Sequence, residues 1–192
     1  YSSPEKVGTL PNLFLVADGM GGHKAGDYAS RYTVENLVIY LSGQSQGSPV
    51  MQLKTGIQEI NEKLFEESRS REELRGMGCT LVAAVAEEDT LYVANVGDSR
   101  LYLIHRDSIR QITRDHSYVE EMAAMGRMDR NSAYYKSHKN IITRAVGIER
   151  SVEADFFEAE LCPGDYFLLC SDGLTNMVED EAICRIVTGE GS

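Results

Sequence analysis

Apolar residues recur along this chain with two different periods, and the switch between them separates helical from extended blocks. Residues 13–17 form a continuous apolar run of strand length. Over residues 25–41, Ala29, Tyr32, Leu37 and Leu41 recur at helical intervals, and Leu53, Ile57, Ile60 and Leu64 share one face of a second helix. Between them, residues 42–49 are rich in Gly, Ser and Gln, as a loop should be. After the charged segment 66–75, residues 80–86, 91–96, 101–105 and 109–113 read as short strands. Their three-residue links are short enough for hairpins, which predicts an antiparallel meander. Ser117 and Glu120 have capping-box spacing for a short helix that Gly126 ends, and residues 127–140 read as irregular and polar. A last hairpin is expected between residues 154–161 and 165–170 across Pro163-Gly164, with a helix from about Glu179.

Helices grouped apart from runs of antiparallel strands predict α+β layering, and no repeat, linker or low-complexity tract divides residues 1–192, so a single domain is expected. No apolar run approaches the roughly 20 residues that cross a bilayer, and no signal peptide opens the chain. Cys79, Cys162, Cys170 and Cys184 lack C-x-x-C spacing and sit among apolar neighbours, which predicts reduced, buried thiols in a cytoplasmic protein. A formal net charge of −11 would repel a polyanionic backbone, which argues against nucleic acid as a partner.

Candidate chemistry lies where apolar strands end. Three times such a run closes on an aspartate beside a small residue: Asp18-Gly19, Asp98-Ser99 and Asp172-Gly173. Each could simply start a turn. Three matching ends make a stronger pattern, because a carboxylate at the end of a buried strand pays desolvation unless it is paired or bound to a cation. The donors are oxygens with no thiolate or imidazole cluster, which favours magnesium or manganese over zinc. The glycines of Asp18-Gly19-Met20-Gly21-Gly22-His23 let backbone approach an ion closely, but the segment matches neither common nucleotide loop.

In order, Asp18-Gly19-Met20-Gly21-Gly22-His23, Gly97-Asp98-Ser99-Arg100, Thr113-Arg114-Asp115-His116-Ser117, Ile142-Thr143-Arg144-Ala145-Val146-Gly147 and Ser171-Asp172-Gly173-Leu174 resemble the motifs of the protein phosphatase 2C (PPM) family, in its bacterial form. The resemblance implies two antiparallel β-sheets packed as a sandwich with helices on both outer faces. It also implies a metal-dependent phosphatase of phosphoserine and phosphothreonine in proteins, opposing a serine/threonine kinase. By similarity, Asp18 would bridge two ions of Mn2+ or Mg2+, the Gly19 carbonyl would bind one and Asp172 the other, while Asp98 with Asp172 would hold a third. Asp18 and Asp172 are thus the catalytic candidates, acting through a metal-activated water. A monomer is expected, with phosphorylated proteins and a cognate kinase as partners.

Two elements of the family pattern are absent from the sequence: an N-terminal strand with a phosphate-gripping Arg and an acidic metal ligand, and a C-terminal Asp-Asn ligand. A fragment incomplete at both termini, with weak or absent activity of its own, is therefore expected. The alternative is a pseudophosphatase acting as a binding module, against which the three retained aspartates argue. Met20 stands where many relatives have a His proposed as general acid, and Met cannot donate a proton. His23 reads as a helix N-terminal or surface residue, Asp115 and His116 as turn-forming, and Arg144 as a structural hydrogen-bonding residue. Arg127, Arg130, Lys136, His138 and Lys139 make a local basic loop matching the family's flap, or else an ordinary solvated loop.

Overall fold

The computed structural model describes residues 12–189, so anything expected of residues 1–11 and 190–192 lies outside it. Its strands are β1 (Leu13–Val16), β2 (Gly19–Met20), β3 (Gly78–Cys79), β4 (Leu81–Glu87), β5 (Thr90–Val96), β6 (Arg100–His105), β7 (Ser108–Gln111), β8 (Asp155–Glu160) and β9 (Tyr166–Cys170). Its helices are α1 (His23–Ser42), α2 (Pro49–Ser70), α3 (Tyr118–Ala124), α4 (Ala133–His138), α5 (Asp172–Thr175) and α6 (Asp180–Thr188). One sheet has the order β1-β4-β5-β8, a second β7-β6-β9, and β2 pairs with β3.

Strand side chains alternate between two apolar surroundings, and this builds the layers. On β4, Leu81, Ala83 and Val85 face a core shared with Leu37, Leu41, Leu53, Ile57, Ile60 and Leu64 of α1 and α2. The intervening Val82 and Ala84 face Leu101 and Leu103 of β6, with Phe14, Phe157 and Phe167 packed alongside. Behind the second sheet, Ile104 of β6 packs on Ile183 and Cys184 of α6. The order is therefore helices, sheet, sheet, helix, the α-β-β-α sandwich that the resemblance implies. Full burial of a leucine contributes roughly 1.5–3 kcal/mol, so two apolar layers sharing one sheet hold the sandwich from both sides.

Two pairings differ from the meander expectation. β4 and β5 form a two-residue hairpin, as do β6 and β7, but Gly97-Asp98-Ser99 carries the chain from the first sheet to the second instead of turning back. Likewise β8 pairs with β5 and β9 with β6, so residues 154–170 are two strands in different sheets and not a hairpin. Loop length fits either geometry; strands apolar on both faces are what a sheet change requires.

Helix ends follow local chemistry. Ser48 caps α2 through Met51 N–H and places Pro49 at the first turn. Ser117 caps α3 through Glu120 N–H, but the Glu120 carboxylate turns to Arg130 and Tyr135, leaving the capping box half made. Residues 133–138 form α4 behind the Ser132 cap, a helix where irregular chain was expected. Cys79, Cys170 and Cys184 are buried and unpaired, whereas Cys162, beside the Pro163-Gly164 turn, is exposed. No helix of the described residues is long and apolar enough to cross a membrane.

Candidate active site

Strand direction alone brings the three aspartates to one end of the sandwich. β1 and β5 are both antiparallel to β4, hence parallel to each other, and their C-terminal ends lie together. The three-residue crossing after β5 starts β6 at that same end, and the register Arg100↔Cys170 brings the end of β9 beside it. Asp18, Asp98 and Asp172 follow β1, β5 and β9 respectively.

Their electrostatics register this convergence. Burial raises the Asp18 carboxyl above its ordinary value, and the neighbouring charge of Asp172 adds to the effect. The Asp98 carboxyl is pushed up to about 6, first by burial, then by Asp172, Asp115 and Asp18. None of the three forms an ion pair with a lysine or arginine among the described residues. Asp172 opens α5, and its carboxylate accepts from Asn176 Nδ2 at 2.9 Å.

Backbone geometry around Asp18 is fixed closely. Thr80 N–H donates to the Asp18 carbonyl at 2.8 Å, and Asp18 N–H donates to Thr80 Oγ1 at 3.0 Å. β2 passes so near the first turn of α1 that a Cβ on Gly19 would lie 2.0 Å from the Gly26 carbonyl oxygen, which excludes any other residue there. Asp18, Gly19, Gly22, Lys24 and Asp27 border an open cleft of about 620 Å³.

Several surrounding residues escaped the sequence reading. Arg100 chelates the buried Asp115 through Nε (2.9 Å) and a terminal nitrogen (2.7 Å), and also donates to the Tyr102 hydroxyl (2.8 Å), which in turn donates to Asp180. Asp115 is thus the anchor of an ion pair, which is more than shaping a turn. His116 is buried, its Nδ1 accepts from Gly97 N–H at 3.1 Å, and its Nε2 lies 3.2 Å from Asp155. The Gly97 bond assigns the ring proton to Nε2, and burial lowers the affinity of the ring for a second proton. Arg144 donates to the other Asp155 oxygen at 2.9 Å, a structural role as expected. In the basic loop, Arg130 is committed to Glu120 at 2.6 Å and Tyr134 stacks on His138. The side chain of His23 lies outside what the structure describes.

Carboxylates whose protonation is favoured by burial and by a neighbouring Asp172 suit a hard divalent cation, which would favour the charged form instead. By themselves the side chains do not complete a cage: among the described residues no three His, Cys, Asp or Glu groups lie close enough to enclose an ion.

The chain belongs to the protein phosphatase 2C family, whose model matches residues 6–188. It is 42% identical over 179 residues to a protein named serine/threonine phosphatase stp from Listeria innocua, covering 91% of this chain and 71% of that one. Against protein phosphatase PhpP of Streptococcus pneumoniae it is 38% identical over 181 residues, 93% of this chain and 73% of the relative. Among solved structures, serine/threonine phosphatase Stp1 from Staphylococcus aureus superposes with a TM-score of 0.87 at 38% identity, covering 94% of this chain and 72% of that one.

Proposed function

We infer that this chain is a protein serine/threonine phosphatase that hydrolyses phosphoserine and phosphothreonine in protein substrates. The observation that carries the reading is the convergence of Asp18, Asp98 and Asp172 at one end of the sandwich with no cationic side chain paired to any of them among the described residues. Membership of a metal-dependent family explains why such an arrangement is kept: the carboxylates are balanced by cations supplied from solution.

In this reading Asp18, the Gly19 carbonyl and Asp172 hold two ions of Mn2+ or Mg2+, and Asp98 with Asp172 a third. Bound there, such cations would supply a deprotonated water as nucleophile and offset charge on the phosphoryl oxygens. The chain's own contribution is positional. The Thr80 bonds hold the Asp18 backbone, the Gly19–Gly26 contact fixes where the Gly19 carbonyl can go, and α5 starts at Asp172 so that its side chain leaves β9 toward the other two. Water and backbone oxygens would complete each coordination shell, as is usual for Mg2+. Neither a cysteine nucleophile nor a proton from Met20 is required. Residues 1–192 are read as belonging to one catalytic domain, acting as a monomer in the cytoplasm opposite a serine/threonine kinase.

The test is hydrolysis of a phosphothreonine peptide with and without Mn2+, by this chain and its Asp18→Asn variant. Manganese-dependent turnover that falls at least 100-fold on substitution, about 3 kcal/mol of barrier, is the expected result. No turnover under any metal, either by this chain when folded or by one extended at both ends, would overturn the enzyme reading in favour of a binding module.

A further inference from the structure

We propose that Thr80 is a positioning residue that ties the Asp18 and Asp98 ends of the site into one unit through a buried hydroxyl pair with Ser99. The inference rests on the phosphatase reading above but assigns a role to residues outside the carboxylate set.

Asp98 sits in the crossing from β5 to β6, outside the ladders of both sheets. Thr80 lies opposite, between β3 and β4, and is 4% exposed; Ser99 is 0% exposed. Three contacts converge on the Thr80 side chain. Its hydroxyl accepts from Asp18 N–H at 3.0 Å. The same oxygen lies 2.7 Å from Ser99 Oγ. A hydroxyl has one proton to give and two lone pairs, so an oxygen that takes the Asp18 amide still has its proton for Ser99. The Thr80 methyl meanwhile fills the space beside Gly97, where a Cβ on the glycine would lie 2.7 Å from it. One side chain therefore grips the Asp18 backbone and both neighbours of Asp98.

A hydrogen-bonded bridge of this kind, sealed from water, sets the separation of two carboxylates that would otherwise repel. Asp18 lies across from the crossing, and its charge adds to the upward push on the Asp98 carboxyl. Without the bridge the Asp98 loop would be free to back away from Asp18, and so from the ion that Asp98 would share with Asp172. The bridge thus rests on the hydroxyl, and the two parts of threonine can be separated. Valine keeps the methyl and loses the hydroxyl, and serine does the reverse.

The test compares Thr80→Val, Thr80→Ser and Ser99→Ala with the unmodified chain in three measurements. These are kcat and KM on a phosphothreonine peptide at saturating Mn2+, Mn2+ affinity by calorimetry, and hydrogen exchange of the Asp18 amide by NMR. For Thr80→Val the expected result is a fall of about tenfold in kcat with KM within about twofold, several-fold weaker Mn2+ binding, and an Asp18 amide that exchanges about tenfold faster. Thr80→Ser should restore all three to within about twofold. Ser99→Ala breaks the same bond without disturbing the Gly97 contact, so it should lower kcat and Mn2+ affinity even where Thr80→Val fails to fold. Unchanged kcat and exchange in Thr80→Val would overturn the proposal. So would a Thr80→Ser chain as impaired as Thr80→Val, which would assign the effect to the methyl. Absence of turnover in the unmodified chain, alone and extended at both ends, would count against the phosphatase reading, and the exchange comparison would still decide the bridge.

Discussion

The two ends of the sandwich solve the same topological problem with different chemistry. At the far end, β4 meets β5 and β6 meets β7 through two-residue turns in which Glu88 and Arg106 adopt φ of 52° without being glycine. At the carboxylate end, Gly97 has φ of 101° and a threonine methyl where its Cβ would be. An exposed turn absorbs the modest strain of a left-handed side chain, because solvent lies on every other side. A turn wedged between two sheets cannot. The contrast separates two reasons for glycine: backbone angle alone, which other residues tolerate, and close approach, which they do not.

Substitutions at the two ends should break apart along this line. The largest expected effect is at the ion pair that backs the carboxylate end. Arg100→Met leaves Asp115 buried without its partner and should cost about 4 kcal/mol of unfolding free energy in urea, much of it recovered in the Arg100→Met, Asp115→Asn double variant. Gly97→Ala should cost about 3 kcal/mol by the same measurement, from overpacking against Thr80 added to backbone strain. Next comes pH. The Asp98 carboxyl is pushed from an ordinary 3.8 to about 6, so the folded chain binds more protons than the unfolded one between those values. Its contribution to stability must therefore fall as pH rises through that window. Metal-free wild type should lose about 2 kcal/mol relative to Asp98→Asn between pH 4 and pH 7, and saturating Mn2+ should abolish the difference. The smallest effect belongs to the far end: Glu88→Gly should change stability by under about 1 kcal/mol. A Glu88→Gly effect as large as that of Gly97→Ala would erase the distinction between the ends.

How much of this was legible in the sequence follows the same division. Apolar period located α1 and α2 and nearly every strand, because those signals are local. Which sheet each strand joins was not legible, since Gly97-Asp98-Ser99 has the length of a hairpin and only the three-dimensional register reveals a crossing. The α4 helix was missed because it buries no residue and so carries no apolar stripe, although Ser132 was a readable cap. At the site, the strand-end position of Asp18, Asp98 and Asp172 was visible in one dimension. The roles of Thr80, Ser99, Arg100 and Asp155 depend on partners 11 to 62 positions away and left no local mark.

The contact between Gly19 and Gly26 reaches further than the cleft it borders. Two backbones that touch with no side chain between them have no compressible layer, so a displacement of Gly19 is also a displacement of the axis of α1. That helix runs 20 residues, about 30 Å, from the site toward the exposed Ile39 near its far end. Because Leu37 and Leu41 are also buried against α2 and β4, such a shift would have to move with the core, and a spectroscopic label at position 39 would report whether it does.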